Sequence, residues 1–159
     1  MTEKYSPNMT SEETTRLLAE EEVGVLCLAD GSEPYAVPVS YALLDGKIVI
    51  HGALTGRKLD VLRKNHQVVL VVYRSPDGMA PHAQGECNYR FESVLVYGEG
   101  RTVDDPAARL DLLRRFKRHF DARLGRPPEH NPVTEDAAGK CSCIEIRIDR
   151  TTGRRKPAS

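Results

Sequence analysis

Thr55-Gly56-Arg57-Lys58 combines a hydroxyl, a glycine and two cations at the point where an extended run gives way to a helical one. The first N–H groups of a helix have no partner inside it, and the helix dipole favours negative charge there. A helix start with Arg57 and Lys58 in its first turn therefore suits a phosphate monoester, which carries nearly two negative charges. Thr55 could add a hydroxyl donor. Gly-Arg-Lys alone is a short pattern, since solvated cations in a first turn are common, and its weight comes from what stands upstream.

Two upstream segments matter. In Pro34 to Tyr41, alternation puts Val37, Val39 and Tyr41 on one face of a strand and Ala36, Pro38 and Ser40 on the other. Proline has no N–H to pair, so Pro38 marks an edge, a bulge or a place where the ladder opens. Freed backbone groups there could hydrogen-bond a flat heteroaromatic ligand; the competing reading is an ordinary edge strand. His51-Gly52-Ala53 ends the next strand. Glycine lets another group approach the backbone closely. His51 could donate to a ligand or release a proton near neutral pH, although a histidine at a strand end is more often structural.

The elements that would position these residues can be read along the chain. Thr10-Ser11-Glu12-Glu13 fits a capping box, and a helix to about Glu22 should bury Leu17 and Leu18. Val23 to Ala29 is a strand, Asp30-Gly31-Ser32 a turn and Pro34 to Leu44 a long strand. Asp45-Gly46 is a two-residue hairpin turn into the return strand Lys47 to Ala53. Gly56 to Asn65 is a short helix with Leu59 and Leu62 inward, Gln67 to Tyr73 a buried strand, and Arg74 to Gln84 a polar loop. Phe91 to Val103 is a long strand. Asp104-Asp105-Pro106 opens a helix to about Leu124, with Leu110, Leu113, Phe116, Phe120 and Leu124 at helical spacing. Gly125 to Lys140 reads as a loop or a lid, and Cys141 to Ile148 as the last strand. These elements predict one domain over residues 1–159, with a loose arm at 1–9 and a basic, frayed tail at 150–159. The fold class is α+β, mainly β: a small antiparallel barrel with peripheral helices. Neither a G-x-G-x-x-G nor a P-loop occurs.

Lys+Arg and Asp+Glu number 23 each in 159 residues, so the chain lacks the basic excess that extended nucleic-acid binding uses. No apolar run approaches the roughly 20 residues of a membrane span, and the first residues have no signal-peptide core. A cytoplasmic protein is expected, with no nucleic-acid and no membrane partner. Cys27, Cys87, Cys141 and Cys143 are then reduced thiols. Cys141 and Cys143 should share a strand face. A metal site joining them to Cys87 and His82 is disfavoured by the spacing, so no metal is expected.

The ordered set Val-Pro-Val-Ser-Tyr, Ile-His-Gly-Ala and Gly-Arg-Lys-Leu-Asp-Val-Leu-Arg-Lys-Asn, within residues 34–73, resembles the pyridoxamine-phosphate-oxidase-related flavin-binding split barrels. Cys87-Asn88-Tyr89, Glu92-Ser93-Val94 and Tyr97-Gly98-Glu99-Gly100, followed by Asp105-Pro106 and a helix, resemble the nitroimidazole-resistance branch. The similarity covers about residues 10–124 and the last strand. It implies a six-stranded antiparallel split β-barrel, a homodimer and FMN at the dimer interface. Residue by residue, it implies Pro38, Val39, Ser40 and Tyr41 along the flavin ring, His51, Gly52 and Ala53 at the neighbouring strand end, and Gly56, Arg57 and Lys58 at the phosphate. The wider family often has Ser-Arg-Lys there, so Gly56 loses a hydroxyl that Thr55 would have to replace. The substrate residues of the true oxidases are not recognisable, and vitamin B6 oxidation is not expected.

The resemblance thus implies an FMN-dependent oxidoreductase. It would pass electrons from NAD(P)H to a small electron-poor acceptor such as a nitroimidazole, with His51 as proton donor or substrate contact and Tyr41 as wall or second donor. A flavin-binding protein without turnover is the first alternative. A split barrel using a deazaflavin or haem is the second, with His51, His82, His119 and His130 available as axial ligands. In a homodimer, the Phe91–Tyr97 strand could supply part of the covered surface.

Overall fold

The computed structural model describes residues 7–75 and 90–156. Residues 1–6 of the arm, 157–159 of the tail, 76–84 of the polar loop, His82 and Cys87-Asn88-Tyr89 lie outside the described residues.

Helix α1 (Ser11–Glu20) starts as its residue types dictate. Thr10 Oγ1 accepts from the Glu13 N–H at 3.2 Å, and the Glu13 carboxylate accepts from the Thr10 N–H at 2.8 Å. Strands β1 (Val23–Asp30), β2 (Glu33–Leu44) and β3 (Lys47–Ala53) follow as two hairpins. Asp45 and Gly46 have φ of 49° and 74°, the left-handed pair that a two-residue turn between twisted strands requires. After α2 (Arg57–Lys64) come β4 (Gln67–Arg74), β5 (Phe91–Thr102), α3 (Pro106–Arg123), α4 (Glu135–Gly139) and β6 (Cys141–Lys156). All pairings are antiparallel, and the six strands close in the order β1-β2-β3-β6-β5-β4.

Two layers of apolar side chains follow from the alternation. Inside the barrel lie Leu26, Tyr41, Ile48, Ile50, Leu70, Val94, Val96 and Ile146, closed at the ends by Leu17 and Leu18 of α1 and Leu59 and Leu62 of α2. Outside, Ala42, Val49 and Cys143 are buried beneath Leu112, Leu113 and Phe116 of α3 and Ala138 of α4. At about 25 cal/mol per Å², full burial of each such aliphatic or aromatic side chain favours folding by roughly 1.5–3 kcal/mol.

Several expectations need correction. The 150–159 tail is not frayed over its described part: β6 runs to Lys156, because Arg150 to Lys156 pair with Tyr97 back to Phe91 after a bulge at Tyr97/Gly98. Polar side chains hid this strand, since its outward face carries arginines. The arm is not loose at its described end, where Asn8 and Met9 N–H both donate to Gly153 O. The 125–140 segment includes a helical turn, α4, capped by Thr134. Leu124 is 61% exposed, and Leu112 rather than Leu124 joins the apolar side of α3.

Candidate functional site

The site is made by two strands that part. β2 and β3 pair only from Leu44/Lys47 to Tyr41/Ile50. Beyond that point, among the described residues, β2 continues to Glu33 paired with β1 alone, and His51 to Ala53 of β3 pair with β6 alone. The edge of β2 from Glu33 to Ser40 therefore faces a wedge rather than a strand. Backbone groups alternate in direction along a strand. Tyr41 N–H donates toward β1, to Glu22 O at 2.9 Å, so the peptide groups of Ser40, Pro38 and Ala36 point into the wedge. Pro38, opposite Val25, spends its missing N–H where no ladder bond is lost. Ser40, Pro38 and Ala36 also present exposed side chains on the outer face.

The other residues of interest divide between wedge and core. Val39 and Tyr41 point into the barrel, 6% and 0% exposed. Tyr41 Oη donates to Leu18 O at 2.9 Å, and burial raises its pKa far above the phenol range. Its hydroxyl is thus committed to α1, and the expectation of Tyr41 as a wall or second donor at the wedge is corrected: strand parity turns it inward. His51 and Ala53 lie on the outer face of β3, exposed at the wedge. Phe116 packs on the His51 ring, with centroids 4.6 Å apart. Loss of water on that side, and then the charge of Lys58, lower the His51 pKa, so the imidazole is neutral at pH 7 and keeps one N–H donor.

At the wedge's end, Gly56 adopts φ 139°, which disfavours any residue with a side chain. This is the physical reason for glycine where the resemblance leads one to expect serine. α2 has no side-chain cap, whereas Thr10, Asp105 and Thr134 cap the other described helices. Its first N–H groups are left to solvent or an anion. Thr55 is exposed beside them. The two cations behave differently. Lys58 Nζ lies over Gly52, 2.8 Å from where a Cβ would stand, and makes no ion pair among the described residues. Ser142 Oγ, which donates to Ala53 O at 2.7 Å, borders the same corner. Arg57 instead reaches the β1–β2 turn, with Nη2 2.9 Å from Glu33 and Nε 3.4 Å from Asp30, and its guanidinium 4.7 Å from the Tyr35 ring centre.

A groove of about 360 Å³ is bordered by His51. Leu113, Phe116 and Phe120 of α3 line it with Val133 and Cys141, and the charged side chains of Lys117, Asp121 and Arg126 also border it. Lys117 pairs with the buried Asp121 and donates to His130 O at 2.6 Å, which pins the 125–130 segment to α3. The sequence places Phe116 only in a helix core and Asp30 only in a turn, and no local pattern marks Glu33 or Ser142 for the site. Cys141 and Cys143 do share a face, under α3 and α4, and burial pushes the Cys143 thiol up to about 11.

A family model described as pyridoxamine 5'-phosphate oxidase matches residues 10–155. The chain belongs to the pyridoxamine 5'-phosphate oxidase family. None of the curated proteins matches it. Solved structures share the fold of this family member along nearly its whole length. A FAD-binding protein from Mesorhizobium loti is 23% identical with a TM-score of 0.69, covering 94% of this chain and 96% of that one. A candidate 5-nitroimidazole antibiotic resistance protein from Bacteroides thetaiotaomicron is 17% identical with a TM-score of 0.74, covering 92% and 84%. A FAD and heme binding protein from Mycobacterium smegmatis is 18% identical with a TM-score of 0.80, covering 96% and 74%. Among the described residues, no helix is long and apolar enough to cross a membrane.

Proposed function

We propose that the chain is a flavin-dependent oxidoreductase that binds FMN in the wedge. The observation that carries this reading is the parting of β2 from β3 beside a lysine without an ion pair among the described residues, at the start of an uncapped helix. The Ala36, Pro38 and Ser40 peptide groups would hydrogen-bond the ring edge, and the α2 N–H groups with Lys58 would hold the phosphate. Bound flavin supplies the acceptance and release of electrons. His51 borders the groove at the end of the strand that lines the wedge, and its neutral ring would offer one N–H to a ligand there. The apolar groove with its aromatic wall suits a small flat acceptor of the nitroaromatic class, reduced at the expense of NAD(P)H. The similarity of fold to a FAD-binding protein and to a candidate nitroimidazole-resistance protein supports the same reading.

The reading extends to a homodimer. On the outer face of β1, β4 and β5, Val25, Val71 and Leu95 form one cross-strand row and Cys27, Val69 and Tyr97 the next. Pro38 and Ala36 continue these rows into the wedge. A second copy on this face would cover the apolar rows and shield the exposed side of the ring.

The test is direct. Ligand released by denaturation should have the spectrum and mass of FMN, or the purified chain should take up FMN. Lys58→Ala should weaken FMN binding about 10- to 100-fold, the worth of a charge-assisted hydrogen bond of roughly 1.5–3 kcal/mol. Equal affinity of parent and variant would refute the phosphate assignment. NADH or NADPH oxidation dependent on a nitroaromatic acceptor separates turnover from binding alone.

A further inference from the structure

Arg57 and Lys58 are adjacent cations at one helix start, yet they are not equivalent. Lys58 lies over Gly52 without an ion pair among the described residues, while the Arg57 fork is already occupied by two carboxylates. Glu33 takes Nη2 at 2.9 Å, Asp30 takes Nε at 3.4 Å, and the guanidinium plane is set over Tyr35. Glu33 and Asp30 flank the turn between β1 and β2, so this contact ties α2 to that hairpin. Lys64 reaches Asp30 at 4.0 Å from the other end of the same helix.

A phosphate and a carboxylate compete for the same planar donors. Two negative charges beside Arg57 also repel a third. We propose that Glu33 and Asp30 are affinity-setting residues that hold Arg57 away from the phosphate of the bound nucleotide. This inference rests on the FMN reading of the wedge. Lys58 then makes the resident phosphate contact, and Arg57 joins only by leaving the β1–β2 hairpin. Binding is weaker than two adjacent cations would give, and it loosens the hairpin from α2. The pair is surface-exposed, with side-chain exposures of 45% for Arg57 and 66% for Glu33. Contacts of that kind exchange partners at low cost, so the effect is a modulation rather than a block.

Glu33→Gln and the double variant Asp30→Asn/Glu33→Gln should bind FMN about 3- to 10-fold more tightly, as removal of one or two exposed ionic contacts allows. Riboflavin, which lacks the phosphate, should bind all three proteins alike. In an Arg57→Ala background, Glu33→Gln should lose most of its effect. FMN affinity that is unchanged or weaker in both variants, with the parent still preferring FMN to riboflavin, overturns this inference and leaves the phosphate site standing. A parent that binds FMN no better than riboflavin removes the phosphate site and this inference with it. Equal tightening of FMN and riboflavin also overturns it, because the carboxylates would then act on the ring or on the fold.

Discussion

The barrel has two apolar outer faces with opposite fates. Over β2, β3 and β6, the outward residues Ala42, Val49 and Cys143 are 1% exposed or less, because α3 and α4 lie on them. Over β1, β4 and β5 the same alternation produces Val23, Val25 and Tyr73 at 57%, 37% and 46% exposure. Strand pattern is the same in both; what differs is whether, among the described residues, a helix lies over the face. The wedge lies at the border between the two faces, with Phe116 and His51 on the covered side and Pro38 on the open side. In the proposed dimer, a ligand there would be half enclosed by this chain and half by the second copy.

Breaking the covered face should have the largest effect. Phe116→Ala removes a buried ring that packs on both His51 and Phe120, and should cost about 3–5 kcal/mol, read by denaturant or thermal melting. It should also open the groove beside His51.

The open face should respond in the opposite way. Val25→Lys or Val71→Lys should leave the melting of the isolated subunit nearly unchanged but weaken self-association by about 2–3 kcal/mol, since a lysine would be buried unpaired between copies. Light scattering at micromolar concentration should show a dimer for the parent and a monomer for the variants. A monomeric parent would mean that this face is not covered by a second copy.

A smaller effect separates the inside of β2 from its edge. Tyr41→Phe leaves Leu18 O without its buried partner and should cost about 1–2 kcal/mol of stability. FMN affinity should not change, because Tyr41 faces the barrel and not the wedge. A large loss of FMN binding without loss of stability would reverse that assignment.

The smallest effect is in pH. Burial lowers the pKa of both His51 and His119 below the ordinary 6.5. The unfolded chain therefore binds these protons first, and stability should be full above about pH 7 and fall as the pH drops below the ordinary histidine value of 6.5. Both rings are partly solvated, so the decline attributable to His51 should be only about 1–2 °C in Tm, recovered in His51→Gln.

Much of this architecture is legible in the residue order. Thr10 and Glu13 set the start of α1, Asp45-Gly46 sets the hairpin, and the inside/outside alternation of β2 separates Val39 and Tyr41 from Pro38 and Ser40. Local chemistry suffices for these, because a capping box, a left-handed turn and strand parity each depend on a few neighbouring residues. The length of β6 was not legible, because its partner, Phe91 to Tyr97, lies some 60 residues away and its own side chains are polar.

The same division holds for the site. The sequence by itself determined that a proline-bearing strand, a histidine strand end and a two-cation helix start follow one another, and that Gly56 departs from the Ser-Arg-Lys form. Only the tertiary structure decided that β2 and β3 part after Tyr41, that Phe116 reaches His51 from 65 residues away, and that Glu33 and Asp30 occupy Arg57 while Lys58 has no ion pair among the described residues. Ion pairs and ring contacts between distant segments depend on where closure of the barrel brings them, and no local propensity encodes that position.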